Sequence, residues 1–322
     1  MLRFSILSMA VALGLAAATP AAAQAYPQRP IRMIVPFAAG GGTDVLARIV
    51  ASGLADRLKQ QVVVENRGGA GSVSGTDAVA KAEPDGYTIL FNSVAYAINP
   101  GVYRKLPYKP ADLEPVAMAG SAPLVLVMHP SVDAKDLAEL LALLRANPGK
   151  YNYGSSGNGT TLHMAAEMFR SMAKVEIVHV PYRGAAPAMN DLISGNVSFV
   201  FDQVTTAAPF VDDGKLKAIA VSTKTRSPLL PNTPTMEEAG LAGYETYTWN
   251  VIAVPKGTSQ AIVDRLNQET YAVMATPQMQ RRFADLGAET SKPASPADVA
   301  RFVEAETAKF GAIAKRAGVS ID

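Results

Sequence analysis

The stretch from Ile31 to Arg48, IRMIVPFAAGGGTDVLAR, constrains the fold more than any other part of the chain. Ile31, Met33, Ile34 and Val35 form the short apolar run expected of an interior strand in an α/β sheet. Pro36 ends the run, because it has no N–H to give to a ladder. Gly40, Gly41 and Gly42 then allow backbone angles that a Cβ would forbid. Thr43 or Asp44 is placed to cap the helix that follows. The expected product is a helix N-terminus at the C-terminal end of a strand, where free N–H groups and the positive end of the helix dipole suit an anion.

The same plan returns later in the chain. Tyr151 to Tyr153 reads as a strand, Gly154 to Thr161 (GSSGNGTT) as a glycine turn, and Leu162 to Met172 as a helix. Thr43 precedes Arg67 by 24 positions, and Thr160 precedes Arg183 by 23. Each arginine follows an expected strand and precedes a glycine. It can pair with a carboxylate ligand or hold its own turn. Residue identity between the two copies is low, so the similarity is architectural and not that of a solenoid.

Between and after these units the pattern is β-α-β. Gln61–Glu65 and Tyr87–Phe91 read as strands, the latter ending at Asn92-Ser93. Val197–Phe201 is the matching strand in the second copy, ending at Asp202-Gln203. Val116–Met128 and Leu216–Ser222 are expected to carry the chain between lobes, with hinges near Ala122 and Ser222. Thr223–Pro234 is polar and proline-rich, suited to an exposed connector. Ser259–Ala275 and Pro296–Arg316 are amphipathic helices expected to return to the first lobe. The expected division is a leader at 1–23, a discontinuous first lobe at 24–121 and 223–322, and a second lobe at 122–222.

Arg3 followed by the apolar, alanine-rich run Phe4–Thr19 and Ala21-Ala22-Ala23 has the form of a secretory signal peptide cut before Gln24, so the mature chain is expected outside the cytoplasm. A net charge of +2 argues against a nucleic-acid surface. The absence of cysteine removes disulfides, thiolate metal sites and a Cys nucleophile.

Three chemistries compete with anion binding. Gly154–Thr160 has the outline of a phosphate loop, but Thr160 stands where that loop needs Lys. Ser156 and His163 give an exported serine hydrolase its residue types, yet G-x-S-x-G is absent, since position 158 is Asn. The three histidines show no metal spacing, so neither a metal nor a cofactor is expected. His163, on the helix after the second turn, can brace that turn, and Asp202 can either meet a ligand or cap a nearby backbone turn.

The segments YPQRPIRMIVPFAAGGGTD, VVVENRGGAGSVSG, PDGYTILFNS, YNYGSSGNGTTLHMAAEMF and VPYRGAAPAMNDLISGNVSFVFD resemble the Bug family of extracytoplasmic solute receptors, the binding components of tripartite tricarboxylate transporters. The resemblance implies an α/β periplasmic binding protein of the type II-like, Venus-flytrap kind, with doubly wound sheets and a hinge. It implies no catalysis, and a monomer that holds a small organic carboxylate between its lobes for transporter membrane subunits or a sensor domain. An orphan receptor serving only signalling is the other family-compatible outcome. Carried onto this sequence, the implied ligand contacts are Phe37, Ala38, Ala39, Gly40, Gly41, Asn92 and Ser93 from the first lobe. From the second they are Ser155, Ser156, Gly159, Thr160, His163 and Asp202.

Overall fold

A computed structural model describes residues 26–322, so the expected leader and its cleavage site lie outside the described residues. The first unit runs β1 (Ile31–Val35), α1 (Gly42–Leu58), β2 (Val62–Asn66), α2 (Val73–Ala80), β3 (Thr88–Ser93) and α3 (Ala95–Val102). The long β4 (Leu113–Met128) follows, then α4 (Leu137–Ala146). The second unit is β5 (Asn152–Ser155), α5 (Thr161–Ala173), β6 (Val178–Pro181), α6 (Ala185–Ile193), β7 (Phe199–Gln203) and α7 (Val204–Asp212). After it come β8 (Lys217–Val221), β9 (Tyr247–Pro255), α8 (Gln260–Met274), α9 (Pro277–Ala284), β10 (Glu289–Thr290) and α10 (Pro296–Ala317).

The strand order is β2-β1-β3-β9-β4-β7-β5-β6, with β8 and β10 also on β4. Both halves repeat one arrangement. In the first, β1 lies parallel between β2 and β3, and β3 is flanked by antiparallel β9. In the second, β5 lies parallel between β6 and β7, and β7 is flanked by antiparallel β4. Strand periodicity of two explains why the first-lobe strands are apolar throughout. Met33, Ile89, Phe91 and Ile252 face the core under α1 and α8, whereas Ile34, Leu90 and Val251 face the core under α3 and α10. The second lobe has its own core, from Leu126, Phe169, Phe199 and Phe201 among others.

β4 belongs to both lobes. Residues 113–123 pair with β9, and from Leu124 onward the strand pairs with β7 and β8 instead. The return crossing is tied to the same point. Ser222 Oγ accepts from Leu124 N–H at 2.9 Å and donates to the Thr246 carbonyl at 2.5 Å. Ser222 N–H also donates to the Leu124 carbonyl, and Thr246 N–H to the Ser222 carbonyl. One buried serine thus stitches both crossings together.

Two expectations are corrected here. The stretch after Ser222 is not a first-lobe connector: Leu230, Met236, Leu241 and Tyr244 pack into the second-lobe core, and Tyr244 OH donates to the Ala165 carbonyl. The second lobe therefore runs to about residue 245, and its return crossing is at Thr246. The cap of α1 is also different, because Gly41 is its N-cap and no side chain caps it.

Ser222→Ala leaves a buried N–H and a buried C=O without their hydroxyl, which should cost about 1–3 kcal/mol. Thr225→Ala, on the exposed segment beside it, should stay within about 0.5 kcal/mol. Urea unfolding of the two variants measures both values.

Candidate functional site

The first glycine turn and the turn ending at Gly184 bring uncapped helix N-termini to one cleft, whereas the expected second anion end, that of α5 after Gly154–Thr161, is capped by the Thr160 side chain. α1 starts at Gly42 and α6 at Ala185, behind N-cap residues Gly41 and Gly184 that offer no side chain. They face each other closely: a Cβ on Gly41 would lie 3.7 Å from the Ala185 amide nitrogen. Asp44 does not cap α1, but its carboxylate holds the turn in front of it. It accepts from Gly40 N–H at 2.9 Å, from Asn66 Nδ2 at 2.8 Å and from Arg48. Burial raises the Asp44 pKa, but the Arg48, Gly40 and Asn66 hydrogen bonds outweigh it and hold the carboxyl below its ordinary range.

The lobes are in contact. Ala38 N–H donates to the Arg183 carbonyl across the cleft at 3.2 Å, and Tyr103 OH reaches the Asn158 carbonyl at 3.2 Å. Backbones meet where these contacts form: a Cβ on Gly71 would lie 1.7 Å from the Asn158 oxygen, and one on Gly184 only 2.9 Å from Ala38 N. Between the lobes remains a cavity of about 20 Å³, so a carboxylate of several carbons enters only with the lobes further apart.

Of the residues expected at the site, Phe37, Gly41, Ser93 and Ser156 line this cavity. The others lie outside its wall. Ala38 makes the cross-cleft bond, and Ala39 and Gly40 are solvent-exposed. Asn92 is buried behind, donating to Thr76 Oγ1 and accepting from Ser93 N–H. Ser155 Oγ bonds His179 Nε2 at 2.6 Å. Gly159 abuts Asn99 and Tyr103 of the first lobe. Thr160 caps α5, accepting from His163 N–H, and His163 Nδ1 accepts from Gly159 N–H at 3.2 Å. Asp202 accepts from Gln203 N–H at 2.8 Å and from Thr206 Oγ1 at 2.8 Å. Arg67 bonds Glu65 at 2.6 Å and holds its own strand end.

Sequence reasoning missed Gln203, Thr161 and Thr248, which line the cavity with buried oxygens that have no partner. The missed signal is a repeat within the repeat. Asn92 and Asp202 each fold back on the N–H of the next residue, so Ser93 and Gln203 are the ones presented to the cleft. Among the described residues no Lys, Arg or His lines the cavity. Two larger clefts lie elsewhere, one of about 360 Å³ between α5 and α10 and one of about 390 Å³ between α3 and α10. Neither gathers unpaired helix N-termini.

Residues 46–319 match the model of the tripartite tricarboxylate transporter family receptor, TctC. The chain belongs to that family. Protein BugT of Bordetella pertussis is 36% identical over 307 residues, covering 94% of each chain. Rpa4515 of R. palustris, solved with adipate, is 37% identical with a TM-score of 0.88, over 92% of this chain and 99% of that one. MatC of Rhodopseudomonas palustris, solved with bound malate, is 31% identical with a TM-score of 0.83, over 89% and 99%. The fold is that of a mixed α/β periplasmic binding protein, and the family is one of binding proteins and not of enzymes.

The histidines of this TctC-family receptor suit that role. His163 stacks on His179 with ring centroids 4.2 Å apart, and His179 stacks on Tyr153 at 4.8 Å. Burial brings His163 down to about 4 and, with the neighbouring His163, His179 down to about 3. Both rings are neutral at pH 7 and serve as a rigid backing for the second glycine turn.

Asp202 is buried without a cation, and burial pushes its carboxyl from 3.8 up to about 6, against the hydrogen bonds from Thr206 and Gln203 N–H. A carboxyl raised by folding stabilises fully below its unfolded pKa, and that contribution is lost as pH rises through the folded one. Asp202→Asn should therefore gain stability relative to the parent between pH 3.8 and about 6, by up to about 3 kcal/mol. Urea unfolding of both proteins at about pH 4 and pH 7 reads the difference. The histidine titrations are common to both proteins and cancel.

Proposed function

We propose that this receptor captures a small organic carboxylate between its lobes in the periplasm. It then presents the closed form to the membrane subunits of a tripartite tricarboxylate-type transporter. The observation that carries the reading is the pair of uncapped helix N-termini, α1 from one lobe and α6 from the other, facing one cavity. Such ends offer N–H donors and partial positive charge. A carboxylate held between them bridges the lobes and draws them together around itself, in a form less tightly shut than the empty cleft, since both helix ends reach it only when the lobes are near each other. Neutral donors also cost less to desolvate than lysine or arginine would. Adipate with Rpa4515 and malate with MatC are ligands of this chemistry in related proteins.

In this reading Phe37, Gly41, Ser93 and Ser156 touch the ligand, together with Thr161, Gln203 and Thr248. Ser155, Thr160, His163, Asn92 and Asp202 set the shape of the turns that do so. The leader is removed before Gln24, and the mature chain acts as a monomer.

Thermal unfolding of the ligand-stripped protein against a panel of small carboxylates tests the reading. At a hundredfold excess over Kd a true ligand adds about 2.7 kcal/mol, a rise in Tm of several degrees. No rise with any acid removes the carboxylate assignment.

Gly184→Ala tests the closure. Its backbone is extended, so alanine carries no conformational strain there, but its Cβ would meet Ala38 of the opposite lobe. That clash belongs to the shut cleft, which has no room for an acid of several carbons, so with the acid that gives the largest shift this variant should bind no more weakly than the parent, and a loss of about tenfold or more would mean that the bound form is shut as tightly as this one. Calorimetric titration of both proteins checks it.

A further inference from the structure

The cavity wall says more about the ligand than its charge, and what it says rests on the carboxylate reading above. Gln203 Oε1, Thr161 Oγ1 and Thr248 Oγ1 line the cavity, and each is buried without a hydrogen-bond partner. All three residues are at least nine-tenths buried. Gln203 reaches from the end of β7 across the cleft, where its carboxamide lies against Gly42 at the start of α1. Closing the lobes on a ligand that leaves these atoms dry carries a desolvation penalty, and a ligand that pairs them removes it.

Three substituents beside a carboxylate can be compared. A methylene pairs with neither end of the Gln203 carboxamide. An ammonium can donate to Gln203 Oε1, but it brings a full positive charge to a site framed by the positive ends of α1 and α6. It finds no free carboxylate to offset its desolvation. Asp202 is turned back onto Gln203 N–H and Thr206, and Asp44 is already occupied by Gly40 N–H, Asn66 and Arg48. A hydroxyl both donates and accepts, so it pairs with the carboxamide in either orientation and also with the two threonine hydroxyls.

We infer that the ligand is a hydroxylated carboxylic acid, and that Gln203, with Thr161 and Thr248, reads its hydroxyl. The structure accordingly selects against amino acids, whose carboxylates the helix ends alone would accept.

Matched trios differing only at the carbon beside one carboxylate test this. They are succinate, malate and aspartate; glutarate, 2-hydroxyglutarate and glutamate; adipate, 2-hydroxyadipate and 2-aminoadipate; and phenylacetate, mandelate and phenylglycine. Each is titrated calorimetrically at pH 7 into the ligand-stripped protein. In every trio with a binding member, the hydroxy acid should bind about tenfold tighter than the unsubstituted acid, and the amino acid should bind weakest. Gln203→Met, of similar size, should reduce the hydroxyl preference to less than about threefold while still binding the unsubstituted acid. An unsubstituted or amino acid that binds as tightly as the hydroxy acid overturns the inference and leaves the carboxylate reading standing. A preference that survives Gln203→Met overturns the role of Gln203. No binding in any trio removes the carboxylate reading itself, and the inference with it.

Discussion

Two lobes share one strand, and the rest of the structure follows from that. β4 changes partners at Leu124, from β9 in the first lobe to β7 and β8 in the second. Ser222 ties the return crossing to the same residue. Each lobe has a core of its own, and apolar packing crosses between them at Met164 of α5, which is buried in the first-lobe cluster with residues of α3 and α10. The lobes also meet in a rim of backbone contacts: Ala38 with Arg183, Gly71 with Asn158, and Gly184 with Ala38. In the proposed reading, a crossing of this kind lets ligand contacts decide the balance between open and closed forms.

The site itself is made mainly of backbone. Charged side chains near it are turned to internal work: Asp44 holds Gly40 and Asn66, and Asp202 holds its own turn. The neutral stack of His163, His179 and Tyr153 stiffens the second turn from behind. In the proposed reading, an anion entering such a site meets oriented dipoles and not a counter-ion, so its recognition is geometric and only weakly sensitive to which basic residues the surface carries.

Much of this was legible in the sequence. The two strand–glycine–helix units are visible because apolar strands, glycine turns and amphipathic helices have distinct local signatures. They locate Gly41 and Ser156 at the cleft. The helices α3 and α7 were not visible, because Pro100 and Pro209 lie inside them and read as breaks. The segment after Ser222 read as a connector because it is polar and proline-rich, and its few apolar residues reach the core only through tertiary packing. In the sequence Asp202 is the conspicuous member of the pair, because it is charged and Gln203 is not. Which of two adjacent strand-end residues faces a cleft is decided by a hydrogen bond to the next N–H, which leaves no trace in composition.

The contacts that join the lobes and the wall of the cavity are separate sets of residues. Ala38, Gly71, Asn158, Arg183 and Gly184 meet mainly through main-chain atoms, and none of them lines the cavity. The latch is therefore indifferent to the identity of most side chains around it, provided the glycines remain. In the proposed reading, changes at positions such as Gln203, Thr161 or Thr248 alter which solute is accepted while the contacts that join the lobes stay the same. On that reading, a scaffold with this separation can be retuned for a new solute without altering the way its lobes meet.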